Sequence, residues 1–266
     1  MDAPALETIR IEREGDAPLA HVVLNRPDRL NALSRVLLTE LVEACHWLDG
    51  ERDVKVVVVR GEGRAFSAGF DLDDFARPDE SLSVHDGADL GRIATDALTD
   101  TRALTIASIR GHCVGGGVVL AAACDLRIAA DDVRFSIPEV DLGIPLAWGG
   151  IPRLTRELGP AVTKELVLTC RPFAADEALR LRFVNRVVPA AELDATVAEL
   201  AEELADKPSF SLRATKQQVN AVMEEIAGTG RSAGDADMLV AALQDAESMA
   251  TSRRYRDARR NPPKRV

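Results

Sequence analysis

The sequence predicts an α/β fold in which the first part of the chain repeats a strand–strand–helix theme and the last part is all helix. Two observations carry this. Apolar, β-rich runs recur in the first part, each bounded by Gly, Pro, Asn or Asp and leading toward a helix-forming stretch. From Gly149 onward helical periodicity dominates, with one short strand-like run inside it. No repeat of fixed period and no low-complexity linker divides the chain.

The elements follow in order. Ile9–Glu14 and Leu19–Leu24 flank Gly-Asp-Ala-Pro and read as a hairpin. Asn25-Arg26-Pro27-Asp28 breaks the second strand. Ser34 then suits the N-cap of a helix running to about Leu48, with apolar residues at Leu37, Leu38, Leu41, Val42 and Ala44. Val54–Val59 is nearly all valine, as a strand covered on both faces requires. Arg77–Gly87 is polar and aperiodic, which predicts a mobile surface loop. Ala88–Leu104 reads as helix and Thr105–Ile109 as strand. Gly115-Gly116-Gly117 turns the chain into an apolar helix, Val118–Cys124. Leu126–Ala129 and Arg134–Ser136 are short strands. Helices are expected at Ile151–Leu158, Ala161–Thr169 and Ala174–Leu181, then a strand at Val184–Val188. The last helices are expected near Glu192–Ala205, Ser209–Ile226 and Ala233–Ser252.

Bulk properties narrow the function. With 46% hydrophobic and 29% charged residues in 266, the chain has the balance of a globular protein with a substantial core. A net charge of −10 argues against nucleic acid as the main partner. It leaves room for an anionic ligand held by local arginines or backbone N–H groups. Cys45, Cys113, Cys124 and Cys170 are far apart and read as buried reduced thiols, neither a disulfide framework nor a zinc site. His21, His46 and His85 show no metal spacing. The acidic start and the lack of any run near the roughly 20 apolar residues of a membrane span predict a cytoplasmic protein with no membrane role. The basic residues from Arg253 to Arg265 read as a solvated helix end and tail.

Two glycine segments stand where chemistry is expected. Arg64-Ala65-Phe66-Ser67-Ala68-Gly69-Phe70-Asp71-Leu72 follows the valine strand. Gly111-His112-Cys113-Val114-Gly115-Gly116-Gly117 follows the next strand and opens a helix, whose first N–H groups have no intrahelical partner. One N–H from each loop can converge on a single oxygen, as an oxyanion hole requires. Either segment alone also fits a tight turn, and the spacing of a dinucleotide loop is missing.

With these segments in view the chain resembles the crotonase superfamily, the enoyl-CoA hydratase/isomerase family. The resemblance is carried by Leu24-Asn25-Arg26-Pro27 with Leu30-Asn31-Ala32-Leu33, by Ala65–Leu72, by Gly111–Gly117, by Ala123–Ala129, and by Phe135 through Pro138-Glu139 to Gly143. It covers the first hairpin to about Pro189. It implies a spiral of strand–strand–helix turns in residues 1–195 and a C-terminal helical trimerisation region in 196–266. It further implies an acyl-CoA substrate with no separate cofactor, a homotrimer or homohexamer, and oxyanion donors at the N–H groups of Phe70 and Gly116. Arg29, Leu30, Ala68, Asp71 and Leu72 would border the adenine and pantetheine of the CoA, and Gly115, Val119 and Trp148 would also belong to the substrate-binding site.

Hydratases of this family carry two glutamates, one on the helix after the glycine triplet and one in a Pro-Glu turn. Here Val119 takes the first place and Glu139 the second. Valine neither accepts nor donates a hydrogen bond. A lone glutamate suits an isomerase that shifts a C3–C4 double bond to C2–C3, because one base removes a C2 proton and returns it to C4. The single-glutamate pattern resembles the Δ3,Δ2-enoyl-CoA isomerases. The dienoyl-CoA isomerase branch would place aspartates at Ala147 and Val119, and both are absent. Asp141 is a conceivable second acid, read rather as structural. Trp148 either lines the acyl pocket or packs in the core. His112 and Cys113, adjacent on a strand, point to opposite faces and read as packing. A hydratase or other acyl-CoA lyase or hydrolase with a displaced acid, and a silent acyl-CoA-binding protein, stay open as alternatives.

Overall fold

Each pass of the chain lays one strand in a large sheet, then a shorter segment in a second sheet, then a helix. The computed structural model describes residues 3–75 and 82–260. The large sheet contains β1 (Ile9–Glu12), β2 (Leu19–Leu24), β3 (Val56–Gly61), β4 (Leu104–Ile109), β6 (Leu126–Ala130) and β9 (Arg186–Val188), in the order β1-β2-β3-β4-β6-β9. The first pair is antiparallel and every later pair is parallel. The second sheet contains β5 (His112–Val114), β7 (Arg134–Ser136) and β8 (Phe173–Ala174). Parallel bridges Ser67–Cys113 and Leu33–Phe70 extend it across the earlier turns. This is the expected spiral of strand–strand–helix repeats, followed by a C-terminal helical region.

The helices are α1 (Arg35–Gly50), α2 (Leu72–Phe75), α3 (Val84–Asp100), α4 (Gly116–Ala123), α5 (Gly150–Thr169), α6 (Ala175–Arg180), α7 (Leu193–Ala205), α8 (Ser209–Ala227), α9 (Asp235–Ala242) and α10 (Ala246–Arg260). Ser34 caps α1 by accepting a hydrogen bond from the Leu37 N–H. Val56–Val59 of β3 are at most 1% exposed, which explains why this strand is apolar on both faces. The four cysteines are free and buried.

The structure corrects several expected boundaries. Residues 77–81 of the expected loop lie outside the described residues, but Val84–Gly87 are the first turn of α3. Ser83 initiates that turn, its Oγ accepting from the Asp86 N–H at 3.0 Å. This helix also stops at Asp100, because Leu104 is already paired as the first residue of β4. Ala233–Ser252 is not one helix. A 3-10 turn, Thr229–Gly234, leads into α9, and Asp245 starts α10 separately by accepting from the Ser248 N–H at 2.8 Å. Within α5, Gly159 adopts φ 75° ahead of Pro160, so the two expected helices meet there at a kink.

One buried ion pair ties α8 to the core. Lys216 Nζ lies 2.9 Å from Asp125 Oδ2 and donates to the Ala103 carbonyl at 2.9 Å. Asp125 Oδ2 also accepts from the N–H and the hydroxyl of Thr105, at 2.7 and 2.9 Å. Among the described residues, no helix is long and apolar enough to cross a membrane.

Candidate active site

Three loops at the ends of β2, β3 and β4 are stitched together by backbone hydrogen bonds. Leu30 and Asn31 take left-handed φ values of 50° and 54°. Asn31 is fully buried, and its amide donates to the carbonyls of Glu62 and Ala65. This clamps the first loop to the second. Ala68 N–H then donates to Leu30 O, Leu33 N–H to Gly69 O, and Asp71 N–H to Leu33 O. The second loop meets the third in the same way: Ser67 N–H donates to His112 O and Val114 N–H to Ser67 O, both at 3.0 Å.

Glycines let the two loops touch. A methyl group on Gly69 would lie 2.6 Å from Val114 O and 3.6 Å from Gly116 N, so residues 69–70 run alongside the start of α4. Gly115 is held by its N–H to Ser136 O, and the first intrahelical bond of α4 comes from Val118 N–H to Gly115 O. Gly116 N–H therefore precedes the hydrogen-bonded turns of the helix. The expected donors Phe70 and Gly116 are thus neighbours in space.

Glu139 closes the site from the far side. Its turn is fixed by Leu142 N–H to Pro138 O, Gly143 N–H to Val140 O, and Ile144 N–H to Glu139 O. A methyl on Gly115 would come within 2.4 Å of Glu139 Oε1, so the carboxyl lies against the Gly115–Gly116 corner. Although the residue as a whole keeps some exposure, Oε2 is sealed from solvent and has no hydrogen-bond partner among the described residues. Burial pushes the carboxyl up from its ordinary 4.5 to about 7. Asp141, the other candidate acid, is exposed.

Val119 is 1% exposed, and its methyl packs where a side chain on Gly150 would have to stand. Trp148, at φ 63°, is buried, and its ring meets that of Phe70 edge-on with centroids 5.4 Å apart. The indole fills the space between two helices. A methyl on Gly91 of α3 would lie 1.9 Å from it, and one on Gly116 of α4 would lie 2.4 Å from it.

The residues expected to border CoA fall at one edge of this arrangement. Arg29 is exposed and pairs with Asp73 at 2.9 Å. Leu30 and Ala68 present backbone to each other, and Leu72 opens the short α2. The Asp71 carboxylate is committed to the fold: it meets Arg26 at 2.8 Å and accepts from the N–H groups of Asp73 and Asp74. Burial alone would raise this carboxyl, but the guanidinium and the backbone donors hold it below its ordinary range. Sequence reasoning missed Gly91, whose signal was a glycine inside a helical pattern. It also missed the two-residue β8, Phe173–Ala174, which is too short to show an alternation.

A cleft of about 470 Å³ opens elsewhere, lined by Arg92, Asp96, Arg153, Arg156 and Glu224 among others. Each of its arginines is matched to a carboxylate at 2.7–2.9 Å, as Arg92 and Arg153 with Asp96 and Arg156 with Glu224. The charges of that cleft are matched, whereas a buried carboxyl oxygen without a partner beside a helix start favours Glu139. Among the described residues, no group of three or more His, Cys, Asp or Glu is placed to hold a metal ion.

Comparison with known proteins agrees with this fold. A solved enoyl-CoA hydratase/isomerase from Xanthobacter autotrophicus Py2 superposes with a TM-score of 0.83 at 30% identity, covering 97% of this chain and 94% of that one. A probable enoyl-CoA hydratase of Mycobacterium tuberculosis is 36% identical over 225 residues, 84% of this chain and 85% of the relative. A peroxisomal Delta(3,5)-Delta(2,4)-dienoyl-CoA isomerase of Arabidopsis thaliana is 36% identical over 231 residues, 81% and 82% of the two chains. The family profile described as enoyl-CoA hydratase/isomerase matches residues 14–263, and the chain belongs to that family.

Proposed function

We propose that the protein is an enoyl-CoA isomerase that moves a double bond from C3–C4 to C2–C3 of an acyl-CoA thioester. The observation that carries this reading is Glu139: a single buried carboxyl with an unpartnered oxygen, set against the glycine corner, while Val119 leaves the second acid position aliphatic. The thioester carbonyl sits between the N–H groups of Phe70 and Gly116. Glu139, as carboxylate, takes a proton from C2, and the electron pair spreads through a dienolate whose oxygen the two N–H groups stabilise. The protonated Glu139 then delivers that proton to C4. No water enters the balance. A carboxyl with a pKa near 7 suits both halves, since it must accept and then release one proton at neutral pH. Arg29, Leu30, Ala68 and Leu72, with the backbone of Asp71, border the CoA moiety.

The second reading, hydratase, is favoured by the mycobacterial and clostridial relatives, which are named hydratases. It requires water to be activated without a group at Val119. An exposed row on α8, Val219, Val222 and Ile226, supports a trimer contact in the C-terminal region.

Ultraviolet absorbance of the conjugated thioester separates these readings. The isomerase raises it with a 3-enoyl-CoA and leaves a 2-enoyl-CoA unconsumed. Loss of the 2-enoyl signal would establish hydration instead, and silence with both would point to another acyl-CoA reaction or to a binding protein.

A further inference from the structure

We infer that Trp148 limits the acyl chain, so that the site takes short acyl thioesters of the butyryl to hexanoyl class. The inference rests on the reading of the site given above. It starts from a strained backbone. Trp148 and Gly149 are consecutive left-handed residues, at φ 63° and 67°. Bulky side chains rarely occupy that region, and such strain persists only where the surroundings over-determine it.

The surroundings do so here. The Trp148 carbonyl accepts from Thr95 Oγ1 at 3.1 Å and from Arg153 Nη1 at 3.3 Å. Arg153 is itself held by Asp96 at 2.8 Å and by Thr99 at 3.2 Å. The following N–H, that of Gly149, donates to Asp235 Oδ2 at 2.9 Å. The turn is pinned from α3, α5 and α9 at once.

What this holds in place is the indole. It lies on the Cα of Gly116, the helix-start donor, and its opposite contact is the Cα of Gly91. An acyl chain leaving the carbonyl between α3 and α4 therefore meets aromatic carbon where a longer cavity would need space. Val119, Leu146 and Ala147 around it are at most 9% exposed, so the neighbouring walls are packed as well. The indole is closely approached by the backbone of both helices, at Gly91 and at Gly116, which restricts its turning aside. Removing it would leave a void on the order of 150 Å³, the size that holds a benzene-sized guest in other cores. That is room for several more methylenes, each worth about fourfold in binding when buried.

The test compares 3-hexenoyl-CoA with 3-decenoyl-CoA as substrates, and butyryl-CoA with decanoyl-CoA as calorimetric ligands. Wild type is set beside Trp148→Gly, which the left-handed backbone accepts, and Trp148→Phe, which keeps a smaller ring. Wild type should favour the short ester by tenfold or more, in kcat/KM and in Kd. The ratio should fall at least tenfold in Trp148→Gly and by a smaller factor in Trp148→Phe. A wild-type protein that handles both lengths alike, or an unchanged ratio in a folded Trp148→Gly, overturns the inference. Should neither enoyl ester react, the isomerase reading fails, yet the Kd ratio still decides the role of Trp148. Failure of every CoA ester to bind sinks both.

Discussion

Replacing Glu139 by glutamine should stabilise the fold at alkaline pH while abolishing activity. The folded protein holds this carboxyl at about 7 against an ordinary 4.5. A folded pKa above the unfolded one adds stability that is fully present below 4.5 and is lost as pH rises through 7. The displacement corresponds to roughly 3 kcal/mol. Glutamine has nearly the same shape and does not titrate. It can carry its own penalty for an unmatched amide, about 1–3 kcal/mol, but that penalty is the same at every pH. The difference between Glu139→Gln and wild type should therefore move in favour of the variant by about 3 kcal/mol between pH 4.5 and pH 8. For a chain of this size this is about 6–12 °C in Tm. Thermal unfolding of both proteins across that range, followed by circular dichroism, measures it. Loss of the proton shuttle should lower kcat by about 10²–10⁴. A stability difference that is the same at pH 5 and pH 8 would refute the buried, unpartnered carboxyl, whatever happened to the rate.

Two further substitutions probe the frame. Gly115→Ala places a methyl 2.4 Å from Glu139 Oε1 at φ 51°, so it should cost about 1–3 kcal/mol and displace the carboxyl. Steady-state kinetics should show the loss in kcat more than in KM. Lys216→Met strands Asp125 under α8 and should cost about 3–5 kcal/mol in urea unfolding, with part of the loss recovered by adding Asp125→Asn.

The strand–strand–helix order was legible in the sequence because its long elements announce themselves, whereas the spiral followed from the family resemblance. The valine run of β3 and the Ser34 cap of α1 each obey a local rule; the cap stands where that rule put it and the strand, Val56–Gly61, begins and ends two residues later than Val54–Val59. The glycine corner at 115–117 was also visible, since special backbone leaves marks in sequence; Glu139 stood out only through the family resemblance, because a glutamate after proline otherwise reads as a solvated turn residue. What the sequence did not disclose depends on tertiary neighbours. The Glu139 carboxyl lies against Gly115, 24 residues earlier, a contact that only the folded chain brings about. The indole of Trp148 packs on Gly91, more than fifty residues earlier, and the turn that carries it is held by Asp235, 86 residues after Gly149. The start of α3 at Val84 rests on one serine cap in a polar stretch that has no apolar period to betray it.

The contact between Gly143 and Ser248 bears on how the protein comes into being. Gly143, φ 74°, stands in the turn that carries Glu139, and a methyl there would lie 2.4 Å from the Ser248 carbonyl of α10. The turn beside Trp148 is likewise completed from α9. Chains emerge from the ribosome amino terminus first, and earlier parts begin to fold before later parts exist. The glycine loops can therefore assemble while the acid and the indole still lack their supports. Synthesis order makes α9 and α10, which support the turns of Trp148 and Glu139, only after the glycine loops.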